Sequence, residues 1–454
     1  MAAAPDQAEL PPADEDVAHR TVPALVADTE LIGEYQGSGH REPPYLIRRA
    51  DGQVVQLSRL LYLVAAGLDG RRSYEQLAVC LSDESRRGIT AGQVFYLVEK
   101  RLRPAGILIP DPASGRPAEV PPQRDRLLAL KFRIALVPER AVAVIARVFQ
   151  PLFWPPVVIV ALAAFVFADV WLAVHGGAEQ VIAGAKELLN QPEQILLVMG
   201  VLFGAGIFHE CGHVAACRYG GARPGKMGVG IYLVWPAMYS TVTDSYRLSR
   251  GGRLRTDLGG IYFNVLAMLV MIAAYAPTGL PWLLAALLAW QATTFWQFVP
   301  SIRLDGYYVL SDLVGVPDLF DRMGPVLRSL VPGRRPHPRV LELKPWVRRV
   351  IMAWVVLVIP FMAYWIIAFL VLAPYVLPTV AEALVVQYNG VGSSIRAGDA
   401  AGTAVGVLRL ILLVLPWAGM TLILTNLIRG RVRAFRRWRA RRATAEPAAG
   451  QSTP

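Results

Sequence analysis

Residues 195–218 read ILLVMGVLFGAGIFHECGHVAACR. The first fourteen of these carry no charge, and a segment of about 20 apolar residues is what a helix needs to cross a hydrocarbon core roughly 30 Å thick. His209, Glu210 and His213 then enter the same helical stretch. Residues four apart on a helix share a face, so His209 and His213 point the same way with Glu210 beside them. Ionisable side chains at membrane depth are costly and face a cavity, a partner or a metal rather than lipid. Histidines that merely hydrogen-bond between helices are the plain alternative.

The surrounding chain agrees with a membrane setting. Of its 454 residues, 54% are apolar and 18% charged, and the mean hydropathy is +0.40, too apolar for an ordinary soluble globule of this size. Six stretches reach spanning length: 152–174, 195–218, 256–275, 280–302, 350–372 and 403–428. The loops after the second and fourth stretches, and residues 429–454, are rich in arginine, whereas the alternate connections hold only Lys186, no basic residue, and Arg396. By the positive-inside rule both termini face the cytoplasm. Lys and Arg outnumber Asp and Glu by 46 to 34, but the excess marks topology rather than one basic helical face, so no nucleic-acid partner is expected. Three cysteines without a CxxC pair support neither a disulfide framework nor a Cys-rich metal module. Residues 1–28 are polar and acidic, lack the pattern of a cleavable signal, and are expected to be a disordered cytoplasmic lead-in.

The expected fold is mainly α: a six-span helix bundle over 151–428, preceded by a small α+β winged-helix-like domain over 29–115 and an amphipathic approach to the membrane over 116–150, and followed by a basic tail. In the small domain, residues 45–57 read as a hairpin around Asp51-Gly52. Helical patterns follow at 58–66, 74–81 and 91–102, the last capped by Thr90. A DNA-binding role is the bland reading of such a domain, but without a dense basic recognition helix peptide binding fits as well.

Two imidazoles at i and i+4 with a glutamate beside the first is the arrangement of a hydrolytic zinc helix. A catalytic Zn2+ needs a third protein ligand and an open position. His175 and His337 fall in connecting loops, so the search turns to acids. Asp305, in Arg303-Leu304-Asp305-Gly306-Tyr307-Tyr308, follows the fourth stretch at the same cytoplasmic depth, and Gly306 would let the backbone turn tightly. Asp-Gly is also an ordinary turn dipeptide. Cys211 and Cys217 read as small apolar positions.

HExxH on one span and Leu-Asp-Gly at the end of a later one resemble the site-2 protease family of intramembrane zinc metalloproteases. The resemblance implies His209, His213 and Asp305 as zinc ligands and Glu210 as the catalytic carboxylate. Gly259-Gly260-Ile261-Tyr262-Phe263-Asn264 resembles the family's Gly-Pro-x-x-Asn element, with Ile261 in place of the proline. It implies a catalytic role for Asn264, against which stands a simple interhelical hydrogen bond.

The run 228–246 is β-rich and broken by proline, and is expected to form an interfacial hairpin offering a strand edge to substrate; a surface loop with aromatic anchors is the alternative. The N-terminal domain resembles PqqD-like leader-recognition modules, and residues 305–319 resemble the corresponding region of bacterial peptide zinc metalloproteases of the daptide type. These resemblances imply a multi-pass enzyme of the bacterial plasma membrane that removes the leader of a ribosomally made modified peptide. Proteolysis of a single-span signalling protein of the anti-sigma-factor type, or a non-catalytic peptide-binding export partner, are the other readings.

Overall fold

A computed structural model describes residues 18–86, 88–109, 130–232, 235–331, 333 and 335–443. The N-terminal unit is a three-stranded antiparallel sheet of β1 (Glu30–Glu34), β2 (Tyr45–Arg48) and β3 (Val54–Leu57), in the order β1-β2-β3. Its hairpin pairs Tyr45 with Leu57 and Arg48 with Val54, and Gly52 takes the left-handed turn position at φ 81°, which glycine adopts without steric cost. Helices α1 (Arg59–Ala66), α2 (Tyr74–Ser85) and α3 (Ala91–Leu97) follow, with α3 continuing as a π-helical turn, Val98–Leu102. Ser58, Ser73 and Thr90 cap the three helices through their side-chain oxygens, and Ser73 and Thr90 form full capping boxes with Gln76 and Gln93. Ile47, Val64, Leu77, Val94 and Leu102 close the core. The expected disordered lead-in lies outside the described residues up to residue 17. Beyond it the chain is ordered, because Val22 is buried in this core and Thr21 bridges to Ser73. Strand β1 is an addition to the sequence-based expectation.

The rest of the chain runs β4 (Leu130–Val137), α4 (Glu139–Phe149), α5 (Pro155–His175), α6 (Ala178–Asn190), α7 (Pro192–Tyr219), β5 (Met227–Tyr232), β6 (Trp235–Ser240), α8 (Arg250–Thr278), α9 (Pro281–Gln297), α10 (Asp305–Val314), α11 (Leu319–Leu330), α12 (Pro338–Leu341), α13 (Pro345–Ala397) and α14 (Ala400–Ala443). Among the described residues five helices, α5, α7, α8, α13 and α14, are long and apolar enough to cross a membrane, where six stretches were expected. The difference is the 280–302 stretch. Its helix α9 has 17 residues, roughly 25 Å of rise, and stops at Gln297, just before Val299-Pro300. Proline lacks a donor and pushes the preceding residue out of the helical region. The 350–372 stretch errs the other way: α13 continues for 53 residues through Pro360, Pro374 and Pro378, a rod of roughly 80 Å.

Two packing features position the site. Helices α7 and α8 cross where Gly212 lies against the Gly259 backbone, and a Cβ on Gly259 would come 2.6 Å from the Gly212 oxygen; only glycine permits this approach. Of the expected 228–246 hairpin, the part up to Ser240 is present as β5 and β6, with Met227 opposite Ser240, while Thr243–Arg247 form a 3-10 turn instead. The expected amphipathic approach is partly outside the described residues. Its visible part supplies β4, which pairs along the far side of β5 from Leu130↔Tyr232 to Val137↔Met227. Among the described strands β6, like β4, pairs with β5 alone.

Candidate metal centre

Helix α7 carries His209 and His213 on the face turned to α8, both 8% exposed. Asp305 is the first residue of α10. It is brought under the histidines because α10 starts hard against the end of α9: a Cβ on Gly306 would collide with the Phe298 carbonyl. Close approach, rather than a positive φ, is why glycine stands at 306.

The geometry is tight. His209 Nε2 and His213 Nε2 are 3.1 Å apart, and Asp305 oxygens lie 3.2 Å from His209 Nε2 and 3.5 Å from His213 Nε2. Donor atoms around a tetrahedral zinc with bonds of about 2.0–2.2 Å are separated by roughly 3.3–3.6 Å.

The hydrogen bonds behind the rings define what the front atoms offer. His213 Nδ1 lies 2.8 Å from the Thr256 carbonyl oxygen, which only accepts, so Nδ1 carries the hydrogen. His209 Nδ1 lies 3.2 Å from Asn264 Oδ1. The Asn264 amide nitrogen donates to Thr294 Oγ1 at 3.2 Å and Gln297 Oε1 at 3.0 Å, leaving its oxygen to accept from His209. In neutral rings both Nε2 atoms then present lone pairs, to each other and to a carboxylate whose Oδ2 is buried without a hydrogen-bond partner. A proton on one ring would satisfy one pair; a divalent cation satisfies all three, and this second layer of bonds is what metal-ligating histidines require.

Gly260 completes the seat. A Cβ there would lie 2.5 Å from His209 Nε2 and from His213 Nε2, so a side chain would occupy the space in front of the rings. Glu210 lines the adjoining cavity and has no ion-pair partner among the described residues.

Sequence reasoning brought His209, Glu210, His213, Asp305 and Asn264 forward, and they lie together. Of the two alternatives open for Asn264, the observed bonds are those of interhelical and ring-orienting contacts. What the reading missed is the support: the Thr256 carbonyl, Thr294, Gln297 and the steric role of Gly260, whose only signal was its place in a motif element. It also missed Arg253. Counted there as a loop charge, Arg253 is 0% exposed. It donates to Asp312 Oδ1 at 3.0 Å and to the Gln36 carbonyl at 3.0 Å, and its guanidinium stacks 4.4 Å from the Tyr35 ring centre. Tyr35 adds a hydrogen bond to Asp312 at 3.1 Å. Asp312 shares α10 with Asp305, so the helix that carries the acid of the site is pinned at its other end to the N-terminal unit.

The site opens into a cavity of about 2010 Å³ whose walls include strand β3, strand β6 and the three clustered residues. Among comparisons with known proteins, no family model and no solved structure matches the chain. A 107-residue stretch is 28% identical to the Bacillus subtilis (strain 168) protein named "Putative peptide zinc metalloprotease protein YydH". That stretch is 23% of this chain and 42% of the relative, so less than half of the relative's length is covered. The similarity supports a zinc metalloprotease, in a chain with five helices fit to cross a membrane.

Proposed function

We propose that the chain is an intramembrane zinc metalloendopeptidase of the site-2 protease type, with His209, His213 and Asp305 as zinc ligands and Glu210 as the catalytic carboxylate. One observation carries this reading: two Nε2 atoms and a carboxylate converge within 3.1–3.5 Å, beside a glutamate with no ion-pair partner among the described residues. Zinc, when bound, polarises a peptide carbonyl and brings the pKa of a water toward neutrality. Glu210 takes the proton from the attacking water and returns it to the departing amine. Thr256 and Asn264 hold the rings in the tautomer that offers Nε2, so Asn264 acts through His209 as a positioning residue. Gly260 keeps the approach open. A substrate must be unwound before its carbonyls are accessible, and unwound backbone at membrane depth has to be paired by protein; the edge of β6 that faces away from β5 is suited to that pairing.

The substrate is a membrane-associated peptide, and the reaction removes a leader whose binding falls to the N-terminal unit. That unit and the metal centre open on one cavity, which favours this reading over cleavage of a single-span signalling protein. The arginine-rich loops support a plasma-membrane enzyme with both termini in the cytoplasm. The test is to co-express the chain with the short peptide encoded beside it and to compare product masses for wild type and Glu210→Gln. Loss of the shortened product in the variant is expected; identical masses would overturn the maturation role, and a variant that keeps the full cellular phenotype would make the chain a binder.

A further inference from the structure

The proposed function accounts for the cavity at the metal centre but not for its extension beyond it. Leu202 and Gly206 of α7, Met238 of β6 and Trp290 of α9 line the same cavity as His209 and Asp305. Leu202, Gly206, His209 and His213 are spaced as one face of a helix, so the face that carries the ligands continues into the uncharged half of α7. On α9 the stripe of Trp290, Thr294 and Gln297 has the same spacing. Thr294 and Gln297 take the amide of Asn264, whose oxygen is bonded to His209, and this sets their end of the stripe level with the ligands. Trp290 stands seven residues before Gln297, and Leu202 seven before His209, about 10 Å along each helix. Leu202 packs on the core cluster that contains Trp290.

Trp290 is 9% exposed, and its Nε1 is buried without a hydrogen-bond partner among the described residues. An indole N–H only donates, and buried polar groups in native structures are almost always paired. The donor therefore calls for an acceptor brought by a ligand. The neighbouring wall residues Leu202, Gly206 and Met238 are apolar, and Gly206 keeps the passage open: a Cβ there would meet Met238 Sδ at 3.3 Å. An acyl chain would suit such walls but has no acceptor along its length. An unwound peptide has a carbonyl at every residue, each in need of a donor at membrane depth. The Trp290 ring stands in the cavity wall, and a side-chain turn of the kind common on binding presents Nε1 to a chain lying beside it.

We infer that this extension is a subsite for an unwound apolar segment of the substrate, flanking the scissile bond on the side of the uncharged half of α7, and that Trp290 donates from Nε1 to one of its backbone carbonyls. About three residues of extended chain cover the 10 Å or so from the ligands to Trp290. The inference rests on the proposed protease reading, which supplies the reacting bond. Trp290 acts two helical turns from that bond, so it governs binding rather than cleavage.

The experiment uses the full-length, zinc-loaded protein in detergent and peptide hydroxamates, whose hydroxamate group chelates zinc, read by isothermal titration calorimetry. Two series place one or four leucines on the acyl side or on the amine side of that group. A hydroxamate on a straight ten-carbon alkyl chain is the control without amides. In one of the two series the four-leucine compound is expected to bind roughly tenfold tighter than the one-leucine compound, from the added apolar burial. Trp290→Phe keeps a ring and removes the donor. It is expected to weaken the four-leucine compound by about fivefold, the effect of one hydrogen bond, and to leave the one-leucine compound, the alkyl chain, zinc content and Tm unchanged. Gly206→Val narrows the passage and is expected to abolish the gain from added leucines, which serves if Trp290→Phe misfolds. A gain absent from both series, matched by the alkyl chain, or undiminished in a folded Trp290→Phe or Gly206→Val would overturn the inference. Those outcomes leave the metal centre standing, because the one-leucine compounds still bind. A folded protein that binds none of the hydroxamates contradicts the protease reading, and this inference falls with it.

Discussion

Helices α7 and α8 form one pair in this chain and α13 and α14 another, and the two are built on opposite principles. The most apolar window of α8 is 61% buried, whereas those of α13 and α14 are 11% and 6% buried. The α7–α8 crossing uses Gly212, Gly259 and Gly260, and draws His213 to Thr256 and His209 to Asn264. The long hairpin shows exposed residues such as Leu357, Ile367, Val371 and Ile411, a surface suited to hydrocarbon, and a Cβ added at its Gly390 or Gly392 would stand in open space. In lipid, apolar surface gives helices little reason to associate, so small residues and hydrogen bonds mark where two helices must stay in register. That register is what holds the candidate metal centre.

The contrast is broken most severely by Gly260→Ala. Its methyl group would stand 2.5 Å from both Nε2 atoms, so one imidazole has to leave. Zinc retained on purification and peptide hydrolysis are both expected to fall by about 100-fold, the upper end of what disturbing the layer around a metal costs, with the protein still inserted in the membrane. Next comes a matched pair. Gly259→Ala forces α7 and α8 apart and is expected to cost about 1–3 kcal/mol, the usual range for overpacking. Gly390→Ala in α13 is expected to stay within about 0.5 kcal/mol of wild type. Thermal unfolding of the two variants in the same detergent measures the difference, and equal shifts would erase the distinction between the pairs.

A smaller effect probes the attachment of the N-terminal unit. His40 accepts from Arg322 at 2.8 Å, and burial, then the charges of Arg322 and Lys344, lower its pKa from 6.5 to about 4. The unfolded chain therefore takes up a proton before the folded one does. The stability from this contact is complete above about pH 6.5 and is lost as pH falls toward about 4. His40→Asn should flatten the dependence of Tm on pH in that interval; an unchanged slope would assign it to other groups.

Much of the site was legible before any coordinates because the spacing of His209 and His213 encodes a shared face directly, and the loop charges put Asp305 at the same depth. The supporting parts were not, for physical reasons. Thr256 contributes a carbonyl, which carries no residue signature. Strand β4 joins the hairpin across about a hundred residues of sequence, and such pairing leaves no local pattern. Arg253 falls in a basic stretch before the expected third span and reads as topology until Asp312 and Tyr35 are seen around it. The expected stretch ends at 372, just before Pro374, yet α13 passes through Pro374 and Pro378, since local adjustment can absorb the lost hydrogen bonds in such helices. In α9 the same residue type at 300 lies just beyond the helix end.

The most direct test is metal content per chain in protein purified from membranes. One zinc per chain is expected in wild type and in Glu210→Gln, and less than a tenth of that in Asp305→Ala and His213→Ala. A chain that binds no zinc when correctly folded, or one that keeps its zinc after both ligand substitutions, would contradict the metal centre.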